Sequence, residues 1–161
     1  MDRIVGIDLG TTHSLVATVD SNIPLVIADA EGRRLTPSVV HYPGPEASLL
    51  VGREASRVRL LKPVETVYSI KRFIGRRWNE LAEEETRVTY PVRGEGAGPL
   101  AIPLHGQDHT PEEISAEILK KLKRDAEAFL GEPVNRAIIT VPAYFNNTQQ
   151  NTTKKTNKLT K

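Results

Sequence analysis

Residues 8–14, Asp-Leu-Gly-Thr-Thr-His-Ser, bring an acid, a glycine, three hydroxyls and an imidazole between two runs of strand formers. In such a turn Gly10 can take a positive φ and let the main chain approach a ligand closely. Successive backbone N–H groups there make a concave anion site, and the hydroxyls of Thr11, Thr12 and Ser14 add donors. Asp8 alone repels phosphate, but it suits a hydrated Mg²⁺ that bridges carboxylate and phosphate. The stretch lacks the spacing of a Walker loop and of a dinucleotide fingerprint. Asp, Gly and Thr also build ordinary hairpin turns, so these residues alone leave a plain turn and a phosphate cradle both open. His13 reads as a turn residue rather than a ligand.

The elements that must position this turn are legible on either side of it. Residues 3–9 and 14–19 are rich in Ile, Val and Leu, which predicts a β-hairpin. Residues 24–28 read as a third strand and 35–42 as a fourth. A helix is expected around 53–61, closed by Pro63. Val67, Ile70, Phe73 and Ile74 recur at a helical period across 67–76. Residues 87–104 read as strands broken by the loop at 93–98. The clearest helix starts at Thr110, a natural N-cap, with Pro111 in its first turn and Glu113 completing a capping box. Ile114, Ile118, Leu119, Leu122, Ala126 and Phe129 form its apolar stripe, and Gly131 stops it. The apolar run 137–141 predicts a strand buried on both faces. Hairpins followed by a long helix feeding a buried strand make an α/β or α+β domain.

The 161 residues are enough for one domain with a real core, and 39% hydrophobic with 26% charged residues is the balance of a soluble globular chain. No apolar run approaches the roughly 20 residues of a membrane span, and no secretory signal is expected at Met1. The absence of cysteine excludes disulfides and thiolate metal sites and fits a reducing, cytoplasmic setting. The net charge of +2 is uneven: four lysines and no acid lie in residues 147–161, so residues 1–146 carry −2. With 5% aromatics and none in that basic tail, the footprint of a nucleic-acid-binding face is missing.

GIDLGTTHSLVA, RRLTPSVV, VGREA, YSIKRFIGR and IITVPAYFN occur in this order. Together they resemble the nucleotide-binding domain of the heat-shock-70 chaperones, the bacterial DnaK type, over essentially residues 3–146. The resemblance implies an actin-like ATPase (ribonuclease H-like) α/β fold. It would be an incomplete first lobe, with a mixed sheet at 3–42 and 137–145 and a small inserted subdomain at about 43–109. It implies ATP/ADP and Mg as cofactors: Gly10, Thr11 and Thr12 wrap the phosphates, and Asp8 orders water around the metal. Lys71 reaches the γ-phosphate and the attacking water, the kind of positioned cation that phosphoryl transfer depends on. Pro142 acts as a switch between nucleotide state and a partner domain. The implied partners are unfolded client proteins, a J-domain co-chaperone and a nucleotide exchange factor, with no nucleic acid and no membrane.

Two departures qualify the resemblance. The family's nucleotide domain is more than twice as long, so this chain is expected to be a fragment without turnover of its own. After Asn146 the family's amphipathic helix gives way to NTQQNTTKKTNKLTK, where threonine replaces alanine. The expectation for 147–161 is a solvated, partly frayed polar and basic tail. Two other readings stand beside the chaperone ATPase. One is a non-catalytic fragment or interaction module that keeps the fold, and the weaker is a sugar kinase of the same superfamily.

Overall fold

The computed structural model describes residues 3–141 and 145–158. Alternating burial through β1 (Ile4–Asp8) and β2 (His13–Asp20) makes the expected antiparallel hairpin, with Val5, Ile7 and Val16 turned into the core. β3 (Ile23–Val26) pairs with β2, as does the short β4 (Thr36–Pro37). The predicted strand 35–42 is therefore two strands split at Ser38. β5 (Val39–His41), wholly buried, leaves the first sheet and forms a second with β6 (Leu50–Val51) and β7 (Thr66–Tyr68). The mixed sheet thus ends at β4, short of residue 42.

A six-residue helix, α1 (Arg53–Val58), follows β6. The helical period expected across 67–76 is not a helix. β-branched Thr66 and Val67 pair with β5, Ser69 turns left-handed at φ 54°, and only Ile70–Arg72 forms a 3-10 turn. Ile70, Phe73 and Ile74 are still buried, so the apolar spacing marked the core correctly while misreporting the backbone. Residues 87–104 contain one strand, β8 (Ile102–Leu104), which pairs with β9 (Gln107–His109). Before it the described chain makes isolated bridges, Arg77 with Pro99 and Arg93 with Ala101. Gly94, Gly96, Gly98 and the prolines at 91 and 99 interrupt any ladder there.

α2 (Pro111–Leu130) has the capping box read from its sequence: the Glu113 N–H donates to Thr110 Oγ1, and the Thr110 N–H donates back to Glu113. Its stripe from Ile114 to Ala126 is buried, but Phe129 stands outside at 51% exposure. The helix backs both sheets, touching β2, β5 and β6, and also the turn that carries Lys71. Gly131, at φ 70°, ends it in the left-handed conformation.

β10 (Arg136–Thr140) then lies parallel to β1, giving the order β10-β1-β2-β3. It is not buried on both faces, since Ile138 is 66% exposed on the side away from α2. Asn147–Lys158 is a helix, α3, rather than a frayed tail. Asn146 caps it reciprocally with Gln149, and the helix packs on α2 with Thr153 buried. Docking outweighs its poor composition.

Candidate functional site

Asp8 ends β1, and the in-register pairing of β1 with β10 sets it opposite Thr140. The Thr140 hydroxyl donates to Asp8 Oδ1 at 2.9 Å. Asp8 itself is exposed, so its carboxylate keeps acceptor capacity for a metal-bound water. Among the described residues no cluster of three His, Asp or Glu side chains is placed to hold a metal. A single exposed carboxylate with free acceptor capacity would suit a Mg²⁺ that keeps most of its water.

The turn after Asp8 is tighter than the sequence implies. Gly10 does not have a positive φ. It is required because a Cβ there would lie 1.9 Å from the His13 carbonyl oxygen. Ser14 is not a donor toward a ligand: it is 1% exposed, its Oγ accepts from the Gly10 N–H at 3.1 Å, and it lies 2.8 Å from Ser38 Oγ. Ser38, also buried, donates its hydroxyl to the Gly10 carbonyl at 2.8 Å and its N–H to the Thr12 carbonyl at 2.8 Å. By contrast, the N–H groups of Thr11 and Thr12 are not committed to any partner among the described residues. Two adjacent amides and two threonine hydroxyls are thus left beside Asp8.

Lys71 lies on the turn that follows β7. Buried Ile70, Phe73 and Ile74 anchor its turn, and left-handed Ser69 sets its direction at a cost of about 1–2 kcal/mol. Half-buried, its ammonium lies 5.9 Å from the centre of the Phe145 ring. Burial lowers its pKa below the ordinary lysine value, and the charge of Asp8 acts the other way. That opposition places Asp8 within electrostatic reach of Lys71.

The structure places Gly10, Thr11 and Thr12 in one turn after Asp8 and puts Lys71 within electrostatic reach of Asp8, while Pro142 lies outside the described residues. Sequence reasoning missed Thr140 and Ser38. The only hint of the second was a lone serine between Pro37 and an apolar pair, and the register that exposes the first needs the parallel strand.

Comparison with known proteins gives the family of the chain. The family model described as Hsp70 protein matches residues 4–160, including the helix formed by the altered tail. The chaperone protein dnaK of Cyanidium caldarium is 48% identical over 161 residues, covering 99% of this chain and 26% of that protein. DnaK of Deinococcus deserti is 49% identical over 154 residues, covering 96% of this chain and 24% of its own length. The protein dnaK3 of Thermosynechococcus vestitus is 50% identical over 156 residues, 96% of this chain and 23% of that one. The chain therefore spans about a quarter of the length of these curated relatives. A family match along nearly every residue, with near 50% identity to chaperones of this kind, makes the chain a member of the Hsp70 family and a portion of its actin-like nucleotide-binding domain.

Proposed function

We propose that the Asp8–Thr12 turn and Lys71 hold the phosphate end of ATP or ADP, as part of the ATPase that drives a protein-folding chaperone. The observation that carries this reading is the pair of uncommitted amides at Thr11 and Thr12, in the turn that follows an exposed carboxylate whose charge also acts on half-buried Lys71. Those amides and hydroxyls cradle phosphate oxygens. Asp8 binds Mg²⁺ through water. Lys71 offsets the charge that develops on the transferred phosphoryl group, and bound Mg²⁺ supplies further charge neutralisation there.

The segment at about 43–109 serves as the small inserted subdomain, and Pro142 as the switch toward a partner domain. Client proteins, a J-domain co-chaperone and an exchange factor are the partners this reading implies, with a cytoplasmic setting and a part in the stress response. Acting alone, the chain holds phosphate from one side and does not turn over. The test is calorimetric titration with Mg-ATP beside Lys71→Ala. Wild-type affinity near the millimolar range, about −4 kcal/mol, that is lost in the variant supports the reading. Equal affinity in both variants sinks it.

A further inference from the structure

The contacts at Ser38 tie together two halves of the site that are far apart in sequence. Its N–H and hydroxyl grip the phosphate turn at Thr12 and Gly10, and its hydroxyl also meets Ser14, which holds the Gly10 N–H. The next residues, Val39 and Val40, pair with Tyr68 and Val67, and the chain continues from Tyr68 through Ser69 to Lys71. A single residue therefore joins β4 of one sheet to β5 of the other and touches the turn whose position must match the lysine.

We infer that Ser38, with Ser14 beneath it, is a positioning residue that fixes the shape of the Gly10–Thr12 turn and registers it against the Lys71 arm. Both main-chain polar groups of Gly10 are satisfied by side-chain hydroxyls, Ser14 accepting from its N–H and Ser38 donating to its carbonyl. A hairpin turn that served only to reverse the chain has no need of two buried serines at its back. Satisfying Gly10 from behind leaves the turn a single shape, with the Thr11 and Thr12 amides turned to the ligand side and no rearrangement needed on binding. The second half of the link is mechanical: a shift of β5 relative to the first sheet must pull on Gly10 and Thr12 through Ser38, and on Lys71 through β7.

The affinity part of this inference rests on the proposed nucleotide site; the turn-shape part does not. The test therefore uses the whole chain with Ser38→Ala, Ser14→Ala and, as control, Ser115→Ala. Ser115 is another fully buried serine, whose hydroxyl donates within α2 to the Pro111 carbonyl at 2.8 Å and not to the Gly10–Thr12 turn. Amide hydrogen exchange is read at Gly10 and at Ile118 in the middle of α2. We expect Gly10 exchange to quicken about tenfold or more in Ser14→Ala and Ser38→Ala beyond any change at Ile118, and the two amides to change together in the control. Mg-ADP affinity should fall about tenfold in the two site variants and hold in Ser115→Ala, although all three melt earlier. Gly10 exchange unchanged in Ser38→Ala overturns the inference, as does an affinity loss matched by Ser115→Ala. A wild-type chain that holds no nucleotide defeats the proposed function instead, and the exchange rates then decide the positioning role by themselves.

Discussion

Gly10→Ala should damage this protein more than any other addition of one carbon to the first hairpin. An alanine Cβ would sit 1.9 Å from the His13 carbonyl oxygen, where real contacts stay beyond 3.0 Å, so the turn must open by about 1.1 Å. The obstruction is backbone, not a side-chain tip that can swing aside. Opening by that much stretches both hydrogen bonds on Gly10, the 3.1 Å bond to Ser14 and the 2.8 Å bond from Ser38. Losing both costs about 1–3 kcal/mol. Residual steric strain adds about 1–3 kcal/mol. At about 2–4 °C per kcal/mol for a chain of this size, the melting temperature should drop by roughly 5–20 °C. Gly6→Ala is the matched control, because a Cβ there meets nothing within 4 Å; it should be neutral or slightly stabilising, within about 1 kcal/mol. Circular dichroism melts of both variants, with Mg-ATP titration of each, read the two effects separately. If Gly10→Ala melts within about 2 °C of wild type and keeps its affinity, the steric account of the turn is wrong.

Gly75→Ala should loosen α3, since φ is 66° there and a Cβ would come within 2.7 Å of Gln149 Cα; faster amide exchange in α3 alone, with a loss of about 1–3 kcal/mol, checks it. Val19 and Ile138 stand 61% and 66% exposed on the open side of the first sheet, so light scattering should rise with concentration and Ile138→Lys should suppress it. The Arg76 guanidinium, by its hydrogen bonds to Glu85, holds that carboxyl below the usual carboxylate range. A depressed folded-state pKa stabilises the protein above the unfolded value of 4.5 and the effect disappears as pH falls through the folded one. Glu85→Gln should therefore cost at most about 1 kcal/mol at neutral pH, the pair being partly exposed, and nothing in acid once the folded-state carboxyl is itself protonated. Phosphate release by the chain alone should not exceed background, because Asp8, Thr11, Thr12 and Lys71 grip from one side.

What could be read in advance divides along a physical line. Thr110, Pro111, Glu113 and Gly131 delimit α2 by local chemistry, and the structure keeps both ends. Val67, Ile70, Phe73 and Ile74 are buried, but the helical spacing they share is also met by a strand, a left-handed serine and a 3-10 turn. Pairing of Thr66–Tyr68 with a strand some 25 residues earlier decides between these, and no local propensity reports it. The same limit explains the tail, where weak helix formers are held by packing on α2 and on Gly75. In the site, the turn at Asp8–Thr12 was legible from residue types, and Lys71 only from the resemblance. The roles of Ser14, Ser38 and Thr140 were hidden because each depends on strand register. Gly10 was singled out for the wrong reason: close backbone approach to His13, not a positive φ, excludes a side chain.

The most direct test of the site is a nitrogen-15 amide spectrum of the whole chain followed through a Mg-ATP titration to about ten millimolar. The account predicts that the amides of Thr11 and Thr12 move first and furthest, that residues around Lys71 follow on the same binding curve, and that Lys71→Ala flattens both. Shifts centred elsewhere, with Thr11 and Thr12 unmoved at saturation, would contradict it.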